Sequence, residues 1–266
     1  MHNGISRGAT LLRIDQPWSD AHLAALYDAL TYEEDLPLYL ELAAAEGGRV
    51  LELACGAGRV AAALAAAGHE VFGFDASPHM LSLARQKRVA NLHLVQADLR
   101  TFDLLEYAPF SLAIVAVKSL AYLTERSEQL SALQRAAAHL RPGGLLAIDF
   151  LHPRPEWLSR APGSLYNDVL QHSAEHGITI SRVESVLSTD LSRQVRTIRS
   201  AYEVIDDQGA LVSKRFVEWA YRYTYRFEAE HLLERAGFEI EALYGGYQRE
   251  PFTSQSPSML FLARRR

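Results

Sequence analysis

The sequence predicts an α/β fold: a doubly wound, mostly parallel seven-stranded sheet with helices on both faces, plus an antiparallel β insertion after the fifth strand. Three observations predict it. Five short apolar runs alternate with helical segments between residues 49 and 151. The first run ends in a glycine turn that opens a helix, Cys55-Gly56-Ala57-Gly58-Arg59. Past Pro153 the pattern changes to half-exposed strands, followed by one more helix and two last strands. Apolar runs that alternate with helices are strands buried on both faces, which is how a parallel sheet reads.

Residues 18–46 read as two helices, with Leu23, Leu26, Tyr27 and Leu30, then Leu36, Tyr39, Leu40 and Ala43, at helical spacing. Gly47-Gly48 stops the second. The first apolar run is Arg49 to Ala54, followed by an alanine-rich helix to Ala67. The second is Glu70 to Phe74, closed by Asp75. Ser77 and Pro78 read as N-cap and first residue of the next helix. Leu92 to Ala97 is the third run, closed by Asp98, and Phe110 to Val117 the fourth. A helix from about Glu125 to Leu140 follows. Arg141-Pro142-Gly143-Gly144 then turns the chain into the fifth run, Gly144 to Leu151.

Residues 164–226 carry several strand-like segments. In Leu211 to Tyr225, Val217, Trp219, Tyr221, Tyr223 and Tyr225 share one parity, and Lys214, Glu218 and Arg222 the other. Asp206-Asp207-Gln208-Gly209 reads as the hairpin turn before it. Ala229 to Ala236 has helical spacing and ends at Gly237. Phe238 to Tyr244 and Met259 to Ala263 are the last strands, with Arg264-Arg265-Arg266 as a solvated tail. The organisation expected is one domain from 1–152 with 227–266, its residues 1–46 a helical lid, and an insertion over 153–226.

Composition excludes several functions. The 266 residues carry 27 basic and 32 acidic side chains, a net charge of −5, which argues against broad nucleic-acid binding. The single cysteine, Cys55, allows no internal disulfide and no cysteine zinc site. No metal is expected. The N-terminus lacks a secretory apolar run, and no stretch has transmembrane length, so a cytoplasmic protein is expected.

The chemistry is concentrated around Val50-Leu51-Glu52-Leu53-Ala54-Cys55-Gly56-Ala57-Gly58-Arg59. Glycines let the backbone approach a ligand, and the helix start offers free N–H groups. Asp75 ends the second strand, where a carboxylate accepts from a ribose diol of NAD or another adenosine ligand. Glu52 beside the loop instead suits a ligand bearing a cation. Asp98 ends the third strand, where it can meet the amine of an adenine. An NAD(P)-dependent oxidoreductase and a non-catalytic ligand-binding protein both stay open at this point.

These segments together resemble the class I S-adenosylmethionine-dependent methyltransferases. The similar stretches are Val50 to Arg59, Glu70 to Leu81, Val95 to Phe102, Phe110 to Leu123 and Leu140 to Phe150. The resemblance implies a Rossmann-like fold and S-adenosylmethionine as cofactor. It implies that Gly56 and Gly58 wrap the methionine part, Asp75 the ribose and Asp98 the adenine amine, with Glu52 at the positive end. Ala54, Arg59, Ala76, Met80, Leu99 and Val117 complete the implied cofactor site. Ala54 departs from the family, where many members have a glycine.

A small-molecule acceptor, methylated on nitrogen or oxygen, is expected. The place after the fourth strand reads Val117-Lys118-Ser119-Leu120 rather than the Asp/Asn-Pro-Pro-aromatic motif of amino-modifying DNA methyltransferases. No Pro-Cys nucleophile is present. The tyrosine-bearing helices and the insertion are similar to small-molecule N-methyltransferases of the glycine, sarcosine and amino-sugar type. Acceptor-site candidates are Tyr27, Tyr32, Ser119, His152, Arg222, Tyr223 and Tyr247, with the insertion as a lid. Tyr39 and Cys55 are expected in the core, and the arginines of the insertion on a solvated sheet face. A monomer or homodimer is expected, without nucleic acid or membrane.

Overall fold

The computed structural model describes residues 9–13, 18, 20–30, 32–173 and 177–266. In chain order the elements are β1 (Ala9–Arg13), α1 (Ala21–Asp28), α2 (Leu36–Glu46), β2 (Val50–Leu53), α3 (Arg59–Ala66), β3 (Val71–Asp75), α4 (Pro78–Gln86) and β4 (Leu92–Gln96). Then come β5 (Phe110–Val115), α5 (Arg126–His139), β6 (Leu140–Leu151), α6 (Pro155–Leu158), β7 (Leu165–Ser173), β8 (Ile178–Asp190), β9 (Val195–Asp206) and β10 (Leu211–Arg222). The chain ends with α7 (Arg226–Arg235), β11 (Phe238–Tyr244) and β12 (Ser258–Arg265). It divides into two compact units, Tyr32–Trp157 with Tyr221–Arg266, and Met1–Thr31 with Leu158–Ala220.

The first unit is built on a seven-stranded sheet of order β11-β12-β6-β5-β2-β3-β4. The pairs β6/β5, β5/β2, β2/β3 and β3/β4 are parallel, and β12 is antiparallel to both β6 and β11. Side-chain alternation sends neighbours to opposite layers. Leu51, Ala113, Val115, Leu146 and Ile148 pack with α5 and α7. Val50, Leu112, Ile114, Leu145 and Ala147 pack with α2 and α3. Both faces are thus covered, as the apolar runs predict. Ser77 caps α4 by accepting from the Met80 N–H at 3.2 Å, with Pro78 behind it.

The strand order reverses between β2 and β5. In such sheets ligands bind outside the carboxyl ends of the strands at this reversal. Glu52, Ile114 and Ala147 lie at one level across β2, β5 and β6. By parity Glu52 and Asp149 belong to the α2/α3 side, with Asp149 two residues nearer the carboxyl edge.

The second unit holds a five-stranded sheet, β1-β10-β9-β8-β7, in which β7, β8 and β9 are antiparallel neighbours. Helix α1 packs Leu23 and Leu26 on Ile180, Tyr202, Val204 and Val217. The 206–209 turn is as expected: Asp206 Oδ1 accepts from the Gln208 and Ala210 N–H groups at 3.0 and 2.8 Å. Strand β1, parallel to β10, was not anticipated.

Four local expectations change. The Arg141–Gly144 stretch is no separate turn: it lies inside β6 as a bulge, where the pairing jumps from Phe110↔Leu140 to Leu112↔Leu145. Strand β10 stops at Arg222 rather than Tyr225, because α7 already begins at Arg226. Arg264 and Arg265 are no tail: they belong to β12, and Arg264 bonds Glu46 at 2.7 Å and Glu241 at 2.5 Å. The insertion's arginines are not one solvated face. Arg196 is fully buried, donating to the Arg160 carbonyl at 3.3 Å, and Arg199 meets Glu218 at 2.5 Å.

Candidate active site

The glycine loop leaves β2 through three left-handed residues, Ala54 (φ 54°), Gly56 (φ 56°) and Gly58 (φ 73°). Gly58 is needed twice over. It adopts a conformation that strains L side chains, and a Cβ there would lie 2.9 Å from the Ala84 Cβ. Ala54 occupies with an ordinary side chain a left-handed conformation natural to glycine. Cys55 is buried, and a Cβ on Gly73 would stand 3.0 Å from its Sγ. Burial pushes the Cys55 thiol well up, so it packs rather than reacts.

Asp75 anchors this loop. Its Oδ2 accepts from the Gly56 N–H at 2.9 Å and its Oδ1 from the Ser77 N–H at 2.8 Å. Burial raises its carboxyl, and these two bonds oppose the rise. Glu52 is fully inside, and its Oε2 has no hydrogen-bond partner among the described residues. Desolvation pushes its carboxyl up to about 8, partly offset by Arg59. An orphaned buried carboxylate oxygen is costly. A cation placed beside it removes that cost.

Arg59, at the start of α3, is held from the side of α2. It makes a paired bond to the fully buried Asp35, at 2.6 and 2.7 Å, and its guanidinium lies 5.5 Å from the Tyr32 ring centroid. It therefore ties the start of α3 to the start of α2. Asp98 is held by Arg100, at 2.8 Å to Oδ1 and 2.6 Å to Oδ2, which lowers its carboxyl. Ala76 is exposed, Val117 is half-buried, and Met80 and Leu99 are buried.

The carboxyl edge of β5 and β6 holds a second constellation. Val117 and Lys118 are both left-handed, at φ 54° and 58°. The fully buried Asp149 fixes this turn. It accepts from the Lys118 backbone N–H at 2.8 Å, and Lys118 Nζ lies 3.1 Å from its Oδ2. Tyr247 donates its hydroxyl to the same Oδ2 at 2.5 Å. The Tyr32 and Tyr39 rings each stand 6.2 Å from Tyr247. Desolvation, Glu34, Asp35 and Asp149 push the Tyr32 hydroxyl up to about 12. Tyr247 is driven higher by burial and Asp149, so both stay protonated hydrogen-bond donors near neutral pH. Tyr39 is buried as expected, but its hydroxyl has no partner among the described residues.

The other acceptor candidates each have contacts of their own. Ser119 Oγ donates to the Ala116 carbonyl at 2.7 Å. His152 Nδ1 lies 2.8 Å from the Ser256 carbonyl, its ring against Phe252. Arg222 bonds Glu228 at 2.8 Å, and Tyr223 is buried with its ring 5.8 Å from Trp157. Tyr27 belongs to the second unit, 4.4 Å from Trp18. Tyr32 and Tyr247 are the candidates brought together. Asp35 and Asp149 were missed, since Asp149 stands inside an apolar run and Asp35 in a helix start.

Among the described residues no group of three His, Cys, Asp or Glu could hold a metal ion. His172 and His176 have the spacing that joins two ligands on a helix. His172 lies in strand β7, its Nδ1 3.1 Å from Thr179 Oγ1, and His176 falls outside the described residues.

Residues 50–144 match the family described as methyltransferase domain. The chain is 30% identical to the cypemycin N-terminal methyltransferase of a Streptomyces species over 225 residues, 83% of this chain and 84% of that protein. It belongs to the S-adenosylmethionine-dependent methyltransferases. It is also 28% identical to the dTDP-3-amino-3,4,6-trideoxy-alpha-D-glucopyranose N,N-dimethyltransferase of Streptomyces venezuelae, over 76% of this chain and 79% of that one. The solved CcbJ methyltransferase of Streptomyces caelestis superposes with a TM-score of 0.77 at 25% identity, covering 95% of this chain and 99% of that one.

The methyltransferase uses S-adenosylmethionine. The residues present fit that cofactor on two grounds. The orphaned Glu52 Oε2 suits a positively charged ligand, and the space where a Gly56 Cβ would stand is open to 4 Å. No comparison supports an oxidoreductase.

Proposed function

We propose that this methyltransferase methylates an amine nitrogen of a small-molecule or short-peptide acceptor. One observation carries the reading. Two relatives that match over three quarters or more of the chain are named for N-methylation, one of a peptide N-terminus and one of a sugar amine. The chemistry of the carboxyl edge supports it. The buried carboxylates Glu52 and Asp149 and the rings of Tyr32, Tyr39 and Tyr247 suit a site that gathers cations.

In this reading Gly56 and Gly58 leave room for the methionine portion, Asp75 takes the ribose hydroxyls, Asp98 the adenine side and Glu52 the charge beside the sulfur. The bound cofactor supplies a methyl group on a sulfonium and a neutral thioether as leaving group. The chain's own work is to orient the acceptor and keep water out.

The test is product analysis. The protein is incubated with S-adenosylmethionine and two amines, an amino-sugar nucleotide and a peptide with a free N-terminus, each alongside its N-acetylated form. We expect an N-methyl product and no turnover of the acetylated partner. Methylation on oxygen or carbon, equally fast with both forms, contradicts the proposal.

A further inference from the structure

Asp149 is enclosed, and a buried carboxylate needs a compensating charge. Among the described residues it has three donors, of which two are fixed by the fold: the Lys118 backbone N–H and the Tyr247 hydroxyl. The third, the only positive one, is Lys118 Nζ, at the end of a flexible stem whose side chain keeps 27% of its surface exposed. That ammonium also stands 5.7 Å from the Tyr247 ring centroid, within cation–π range. The arrangement is an acidic, aromatic corner whose cation can leave.

A second observation points to a ligand here. The Tyr39 hydroxyl is buried without a partner among the described residues, and its ring stands 6.2 Å from that of Tyr247, the tyrosine that donates to Asp149. An unmet donor thus stands on the residue packed against the aromatic wall of the carboxylate that holds an ammonium.

We propose that Asp149, with Tyr247 and Tyr32 around it, is an ammonium subsite: Lys118 fills it in the resting protein and the acceptor's amino group replaces Lys118 there. The occupant is a primary or secondary alkylammonium, which rests on the amine reading above. The exchange trades one cation for another, so Asp149 never stands buried without a counter-ion. Lys118 reaches solvent as it leaves, and the Asp149 bond to its backbone N–H keeps the strained turn in place. Lys118 therefore competes with the acceptor and does not assist it.

The test needs no known acceptor. Wild type, Lys118→Met and the double variant Lys118→Met/Asp149→Asn are titrated with propylammonium chloride, followed by thermal unfolding and calorimetry. Sodium chloride at equal ionic strength and tetramethylammonium, which has no N–H, are the controls. Lys118→Met should be less stable than wild type and regain stability with propylammonium. It should bind that ion at least about tenfold more tightly than wild type does. The double variant should not respond. A folded Lys118→Met protein indifferent to propylammonium, or a wild type that binds it as tightly, overturns the proposal. Lys118→Arg keeps a cation in place should the methionine variant not fold. It should bind propylammonium no more tightly than wild type does, and tighter binding is the contrary result. Propylammonium binding with methylation on oxygen alone sinks the amine reading and leaves the subsite. N-methylation without that binding does the reverse.

Discussion

Tyr247 donates its hydroxyl to Asp149 across 2.5 Å, joining the loop between β11 and β12 to the end of β6, 98 residues earlier in the chain. The bond gives a buried carboxylate one of its three donors among the described residues. Tyr247→Phe should therefore lower stability by about 1.5–3 kcal/mol, the range for hydrogen bonds to charged groups. Urea unfolding measures this, and a loss below about 0.5 kcal/mol shows that the bond contributes little.

Elements whose pattern is local were legible in the sequence. Strand β11 begins and ends where its apolar spacing does, and the Ser77-Pro78 pair marks the start of α4. Contacts between distant residues were not. Asp149 lies among Leu145, Leu146, Ile148 and Phe150, and only the pairing of β6 beside β5 reveals that it meets Lys118. Arg59 follows the glycine loop and reads as a ligand contact, yet its charge is taken up by Asp35, 24 residues earlier. The terminal arginines look solvated until Glu46 and Glu241 are brought beside Arg264.

Removing either partner of the Arg59–Asp35 pair should have unequal effects. Asp35 is fully buried, whereas the Arg59 side chain keeps 26% of its surface. Arg59→Met strands a buried carboxylate and should cost about 3–5 kcal/mol. Asp35→Asn leaves a guanidinium that water can reach and should cost less, about 1–2 kcal/mol. Chemical denaturation of both variants checks the order, and equal losses contradict it.

Cofactor binding should be linked to a proton. Burial pushes the Glu52 carboxyl up to about 8 in the protein without ligand, so at neutral pH it is mostly protonated. A cation beside it favours the carboxylate, so binding releases a proton below that pH. Affinity for S-adenosylmethionine should rise from about pH 6 to 8, by at most about tenfold per unit, and level off above. Calorimetry in buffers of different ionisation enthalpy measures the proton. Heats independent of buffer would remove Glu52 from this role.

Acid should weaken the fold through His139. It is buried, its Nε2 accepts from the Leu104 N–H at 2.8 Å, and Nδ1 lies 2.7 Å from the Arg135 carbonyl. Desolvation holds its ring below the ordinary value of 6.5. Its contribution is then fully present above 6.5 and is lost as pH falls through the lower folded value, when protonation turns the acceptor into a donor. Thermal unfolding between about pH 7 and 5 should drop more steeply in wild type than in His139→Gln. Parallel slopes would exclude the histidine as the cause.

In the proposed reading the carboxyl edge of β2 and β3 holds the cofactor, with Asp75 both securing the glycine loop and receiving the ribose. Calorimetric titration of S-adenosylhomocysteine into wild type and a folded Asp75→Ala variant tests it most directly. The loss of a charged acceptor should weaken binding by about 1.5–3 kcal/mol, roughly 10- to 150-fold. Equal affinity in the two proteins would contradict the claim.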